Sequence, residues 1–141
     1  MLDLRTSKQQ VLPDSQGLWS PRWSPDGRWL VAETTDSKRL LLYNFESGNW
    51  SQLTDAGTAN LGYSSWSRDS HYVYFNLMGP DHNPIHRIPV KGGRAELVLA
   101  PDSIRLKDTL STWFALTPDD RPLLLRDSSA EEIYSLNVDN R

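Results

Sequence analysis

Apolar residues in this chain fall in short runs that alternate with tight polar turns, and no run has the length or period of a helix. Taken in order, the pattern predicts strands at Leu18–Trp23, Arg28–Glu33, Arg39–Phe45 and Trp50–Thr54. A second group follows at Tyr63–Trp66, His71–Asn76, Ile85–Pro89 and Ala95–Leu99, and a third at Ser111–Leu116, Pro122–Arg126 and Glu132–Val138. Trp29–Ala32 and Leu40–Tyr43 are continuously apolar, as in strands covered on both faces, whereas Trp50–Thr54 alternates, as in a strand with one wet face. Between the first two strands stands Ser24-Pro25-Asp26-Gly27. Proline presets φ there, aspartate bonds nearby backbone donors, and glycine takes the left-handed conformation of a bulged hairpin.

That turn recurs. Trp23-Ser24-Pro25-Asp26-Gly27 is echoed by Trp66-Ser67-Arg68-Asp69-Ser70 and by Thr117-Pro118-Asp119-Asp120, each before an apolar run. Asp26 and Asp69 lie 43 residues apart, and Asp69 and Asp119 lie 50 apart. A repeat of this length, each copy a turn and a set of strands, marks a β-propeller blade. The expected fold is all-β, with about three four-stranded antiparallel blades forming a partial propeller or half of a ring. Blade 1 spans 17–54, blade 2 spans 61–99, and blade 3 spans 110–141 without its fourth strand. Residues 1–12 read as the end of an incomplete blade, because Leu2–Leu12 aligns without gaps on Tyr43–Leu53. Closed propellers have typically 4–8 blades, more than 141 residues supply. Two assemblies meet that shortfall: a head-to-tail dimer, or the remainder of a longer propeller. In the dimer, Gln10 and Leu12 in Lys8–Leu12 of one copy pair with Ile133 and Leu136 in Glu132–Val138 of the other.

Composition narrows the partners. A net charge of −3 and pI near 5.5 leave no basic face for nucleic acid. The absence of cysteine removes disulfides and thiolate metal sites. No apolar stretch approaches the length of a membrane span or of a signal-peptide core, so no membrane insertion is expected.

Candidate chemistry is sparse, and neither a cofactor nor a metal is expected. Asp81-His82-Asn83-Pro84-Ile85-His86 places two histidines close, but Pro84 prevents helical i, i+4 geometry and no further ligands stand at suitable spacing. Gly62-Tyr63-Ser64-Ser65-Trp66 lacks the second glycine of a nucleophile elbow. Gly92-Gly93 turns between strands with no phosphate-loop lysine after it. Asp26, Asp69 and Asp119, with Pro25, Gly27 and Pro118, read as structural turn residues. Trp23, Trp66 and Trp113 are expected in the core between blades, and Trp29 packed. Trp19 and Trp50 are the candidates for a partner-binding face, since exposed aromatics anchor partners.

The W-S-P-D-G run, followed by a basic residue and an apolar run, resembles the TolB-like, WD40-like (PD40) propeller repeat. Leu42-Tyr43-Asn44-Phe45 and Gln52-Leu53-Thr54 are similar to the third and fourth strands of that repeat. The likeness extends over essentially the whole chain. The second copy departs from it at Arg68 and Ser70, and the third has Ala115-Leu116 where Trp-Ser is usual. The motif specifies a fold and carries no catalytic residue. The resemblance implies a non-catalytic module that binds or scaffolds a protein or small ligand, as in bacterial signalling or regulatory proteins. The alternative is an accessory propeller of a prolyl-oligopeptidase-like serine peptidase. Location is left open by the sequence; the periplasm is implied only for a part of a longer exported protein.

Overall fold

The computed structural model describes residues 1–79, 83–100 and 113–125, and these form an all-β structure. β1 (Leu18–Trp23), β2 (Trp29–Thr34), β3 (Arg39–Asn44) and β4 (Asn49–Asp55) make one antiparallel sheet in sequence order. β5 (Asn60–Trp66), β6 (Tyr72–Met78), β7 (Ile85–Pro89) and β8 (Glu96–Leu99) make a second sheet in the same order. β9 (Phe114–Leu116) and β10 (Pro122–Leu124) pair as the start of a third. These are two four-stranded propeller blades and the inner strands of another. The strand expected at Glu132–Val138, with Ile133 and Leu136, lies outside the described residues, as does His82.

The inner strand of each full blade carries a bulge. Trp19 pairs with Glu33 and Arg22 with Val31, leaving Ser20 and Pro21 out of register. In blade 2, Gly62 and Tyr63 slip in the same way. The Gly62 Cα lies against Asn76, where an added Cβ would fall 2.4 Å from Oδ1. A larger residue therefore does not fit, although the matching position in blade 1 is Trp19.

The recurring turn is held by one arrangement, repeated three times. The hydroxyl of Ser24, Ser67 or Thr117 donates to the aspartate two residues on, at 2.6, 2.7 and 2.6 Å. The same hydroxyl accepts the amide of the residue that opens the next strand, Trp29 or Tyr72, or in the third copy that of Arg121, just before Pro122. The other carboxylate oxygen meets Arg28, His71 or Arg121. The fourth turn residue has positive φ in each copy: Gly27 (73°), Ser70 (62°) and Asp120 (61°). The last two are not glycine, and their side chains explain why. Ser70 Oγ accepts the Asp26 amide of the preceding blade (3.1 Å), and Asp120 Oδ1 accepts the Arg68 amide (2.9 Å). The departures from the repeat at these positions are latches between adjacent blades.

Blade faces supply the rest. Val31, Leu40 and Leu42 of blade 1 share a buried cluster with Leu61, Trp66 and Val73 of blade 2. Tyr74 and Ile85 share another with Phe114. Trp66, 8% exposed, donates its indole N–H to the Arg22 carbonyl across the first of these contacts (2.9 Å). Trp23 and Trp113 correct the expectation of three core tryptophans, being 51% and 48% exposed. Trp23 occupies the position of Trp66, but no blade among the described residues covers its side of blade 1. Trp29 packs against the core from a half-buried position.

The Ser24 hydroxyl, then the Arg28 amide and guanidinium, hold the Asp26 carboxyl down from 3.8 to about 2. The hydroxyls of Ser67 and Thr117 lower Asp69 and Asp119 likewise. The contribution of Asp26 to stability is complete above the ordinary carboxylate value and is lost as pH falls toward 2, and those of Asp69 and Asp119 are lost in the same direction. Ser70→Ala keeps the left-handed backbone but leaves the Asp26 amide without its acceptor. It is expected to cost about 1 kcal/mol in urea unfolding at neutral pH.

Candidate functional site

Residues 1–10 fold back on themselves. Leu2 bridges Gln9, the Asp3 amide donates to the Lys8 carbonyl, and the Gln10 amide donates to the Met1 carbonyl. The turn matches that between β3 and β4 residue for residue. Asp3 Oδ1 accepts the amides of Arg5 and Thr6, as Asn44 Oδ1 accepts those of Glu46 and Ser47. Ser7 and Gly48 both take positive φ, at 54° and 70°. The Leu2–Gln9 bridge stands where Tyr43 pairs with Trp50. The hairpin thus repeats the outer half of a blade, with a single bridge in place of two full strands.

Between this hairpin and blade 1 runs an open groove of about 540 Å³. The hairpin side is Met1, Leu2 and Gln9–Leu12; the sheet side includes Leu18, Trp19, Leu30, Ala32 and Trp50. Both candidate tryptophans, with Gln10 and Leu12, therefore line one cavity. The Trp19 indole N–H donates to the Thr34 carbonyl (3.1 Å), fixing a ring that is 47% exposed. That of Trp50 donates to the Pro13 carbonyl (2.9 Å), which holds the chain after the hairpin against β4. Apolar surface dominates the lining, and Val11 and Leu2 stand exposed at its rim.

An aromatic ladder crosses the same flank of blade 1. Trp23 stacks on Phe45 with centroids 4.4 Å apart, Phe45 meets Tyr43 edge-on at 5.0 Å, and Tyr43 meets Trp50 at 5.0 Å. Such ring contacts hold aromatic surface rigid at low entropic cost. Sequence reasoning missed Phe45 and Trp23 as surface groups. The available signal was the gap-free match of the hairpin to the β3–β4 turn, which implies an inner half missing beside it.

Elsewhere, ionisable groups serve the fold. His86 is stacked on Phe75 at 5.8 Å, and burial lowers its pKa. His71 pairs with Asp69. Among the described residues no group of three or more His, Asp or Glu is placed to hold a metal, and no helix is long and apolar enough to cross a membrane.

Glu33, at the end of β2 on the side facing blade 2, is 2% exposed. Burial raises its pKa from 4.5 to about 7, partly opposed by a hydrogen bond with Ser37 and aided by the nearby Asp36 charge.

No family model matches the chain, and no curated protein matches it. Solved structures do. TolB from Acinetobacter baumannii is similar over 73% of this chain and 25% of its own, at 20% identity and a TM-score of 0.56. A protein from Lactobacillus plantarum is similar over 78% of this chain and 41% of its own, at 17% identity and a TM-score of 0.46. The likeness to TolB places the fold among β-propellers. The chain spans about a quarter of the length of that TolB.

Because the folded state holds Glu33 protonated more tightly than the unfolded chain does, its contribution is fully present below about 4.5 and lost as pH rises through about 7. Glu33→Gln is expected to match the wild type near pH 5 and to exceed it by about 2 kcal/mol at pH 8, read from urea unfolding at both values.

Proposed function

We propose that the chain is a non-catalytic β-propeller module that binds or scaffolds a protein, taking part of it into the groove between the N-terminal hairpin and blade 1. One observation carries this reading: Trp19 and Trp50, from the first and last strands of the blade, line the same apolar cavity. Both indoles are held by hydrogen bonds to backbone carbonyls, so their rings are presented in fixed positions. Preset aromatic surface lowers the ordering cost of association. The shape of the space also supports a protein occupant. It runs as an open groove between the hairpin and the face of blade 1, from Leu30 and Ala32 to Trp50.

A photoreactive residue at Val11, on the rim of the groove, tests the reading. In cells expressing the full chain it is expected to give a discrete protein adduct on illumination. Trp19→Ser in the same chain is expected to reduce that adduct severalfold. The same photoreactive residue at Gly57, outside the groove, is expected to give none. An adduct at Val11 that persists unchanged without Trp19 would overturn the reading.

A further inference from the structure

Two blade contacts are formed in this molecule, and each defines what its partner positions require. In the first, Val31 of β2 is fully buried and faces Trp66, 8% exposed, on the next blade. In the second, Tyr74 of β6 takes the place of Val31 and packs with Phe114. Strand register identifies the equivalents, with the third turn one residue shorter than the other two. Trp23 pairs with Leu30, Trp66 with Val73 and Leu116 with Pro122; one residue along, Val31, Tyr74 and Leu123 correspond.

Two of these positions have no cover among the described residues. Trp23, the counterpart of Trp66, is 51% exposed on the front of blade 1. Leu123, the counterpart of Val31 and Tyr74, is 53% exposed on the back of blade 3. Leu124 packs toward blade 2, and alternation along the strand therefore turns Leu123 away from it. The described residues thus present one unmatched front, at Trp23, and one unmatched back, at Leu123. The two halves are also complementary in kind: β9 and β10 are inner strands, whereas the N-terminal hairpin repeats an outer pair.

We propose that a second copy of this chain occupies the groove, laying the back of its third blade, with Leu123, against Trp23 and Trp19 of the first blade. This rests on the binding reading above and names its partner. The hairpin of one copy then lies on the same blade as the inner strands β9 and β10 of the other. The polar contact follows the internal template. Where Trp66 donates to the Arg22 carbonyl, Trp23 donates to the carbonyl of Ala115 in the second copy, since Ala115 holds the place of Arg22 in the strand register. The contact is head-to-tail, and two copies joined by two such contacts close on themselves.

One difference from the internal contacts sets its strength. Ser70 and Asp120 latch their blades to the one before, but the matching residue in blade 1 is Gly27, with no acceptor to offer. The contact between copies therefore lacks this hydrogen bond and dissociates on dilution, while the internal contacts hold.

Light scattering of the full chain across a dilution series is expected to give twice the chain mass, falling to the chain mass at low concentration. Leu123→Glu alters a residue already exposed within one copy, so it leaves the fold intact and is expected to weaken association about tenfold or more. Trp23→Ser is expected to do the same. An equimolar mixture of the two variants is expected to associate where each alone stays monomeric, because it pairs one intact front with one intact back. A wild-type monomer at every concentration, or a Leu123→Glu variant that associates like the wild type, overturns the proposal. If the Val11 photoadduct is then a different protein, the binding reading survives; if no adduct depends on Trp19, both fall.

Discussion

A propeller blade is a sheet with two apolar faces, and that constraint governs this molecule. β2 is buried along nearly its whole length, so both faces of blade 1 need cover at that strand. An isolated blade of this kind would expose more apolar surface than a soluble domain tolerates, and each unit depends on the next for cover. The buried clusters accordingly lie between sheets: Val31 and Leu42 meet Trp66 and Val73, and Tyr74 and Ile85 meet Phe114. Hydrogen bonding within the turns fixes each sheet, but burial between sheets holds the stack together.

The polar network of the turn solves a related problem. Four backbone groups at a tight hairpin need partners while the turn approaches its neighbour closely. A hydroxyl that accepts one backbone amide and donates to an aspartate meets one of these needs itself and, in the first two copies, positions the carboxylate to meet another, the amide of Arg28 or His71. The aspartate is left with a second oxygen for the basic residue that follows. Ser24, Ser67 and Thr117 perform this task with only a methyl group of variation, and the identity of the next residue, proline or arginine, matters little.

Much of this was legible in the residues. Short apolar runs between turn residues located the strands: Leu18–Trp23 and Ile85–Pro89 appear with the expected ends, and the other expected strands that fall within the described residues shift by a few residues. β5 begins at Asn60, not Tyr63, because a bulge lets pairing continue through Leu61 past Gly62. The alignment of Leu2–Leu12 on Tyr43–Leu53 foresaw a turn whose hydrogen bonds now match. What the residues did not reveal was environment. Trp23 and Trp66 stand in nearly identical local sequence, yet one is exposed and the other buried, since the difference lies in the neighbouring sheet. Ser70 read only as a departure from the repeat and Asp120 was not singled out, because their partners, Asp26 and Arg68, are 44 and 52 residues distant in the chain. Trp19 and Trp50 were singled out separately, and only the tertiary arrangement brings them to one cavity.

The latch between turns gives the stack a direction. Each blade answers the amide of the one before it with a side chain that the first blade lacks, so the units are not interchangeable despite their shared pattern. Moving the unit that carries Gly27 into an interior place would leave an amide of the preceding blade without its acceptor, whereas moving the unit that carries Ser70 to the front would leave a strained, left-handed serine with nothing to receive. Recombination among such modules is therefore restricted to exchanges that preserve rank, and the order of blades is written into a single position of the repeat.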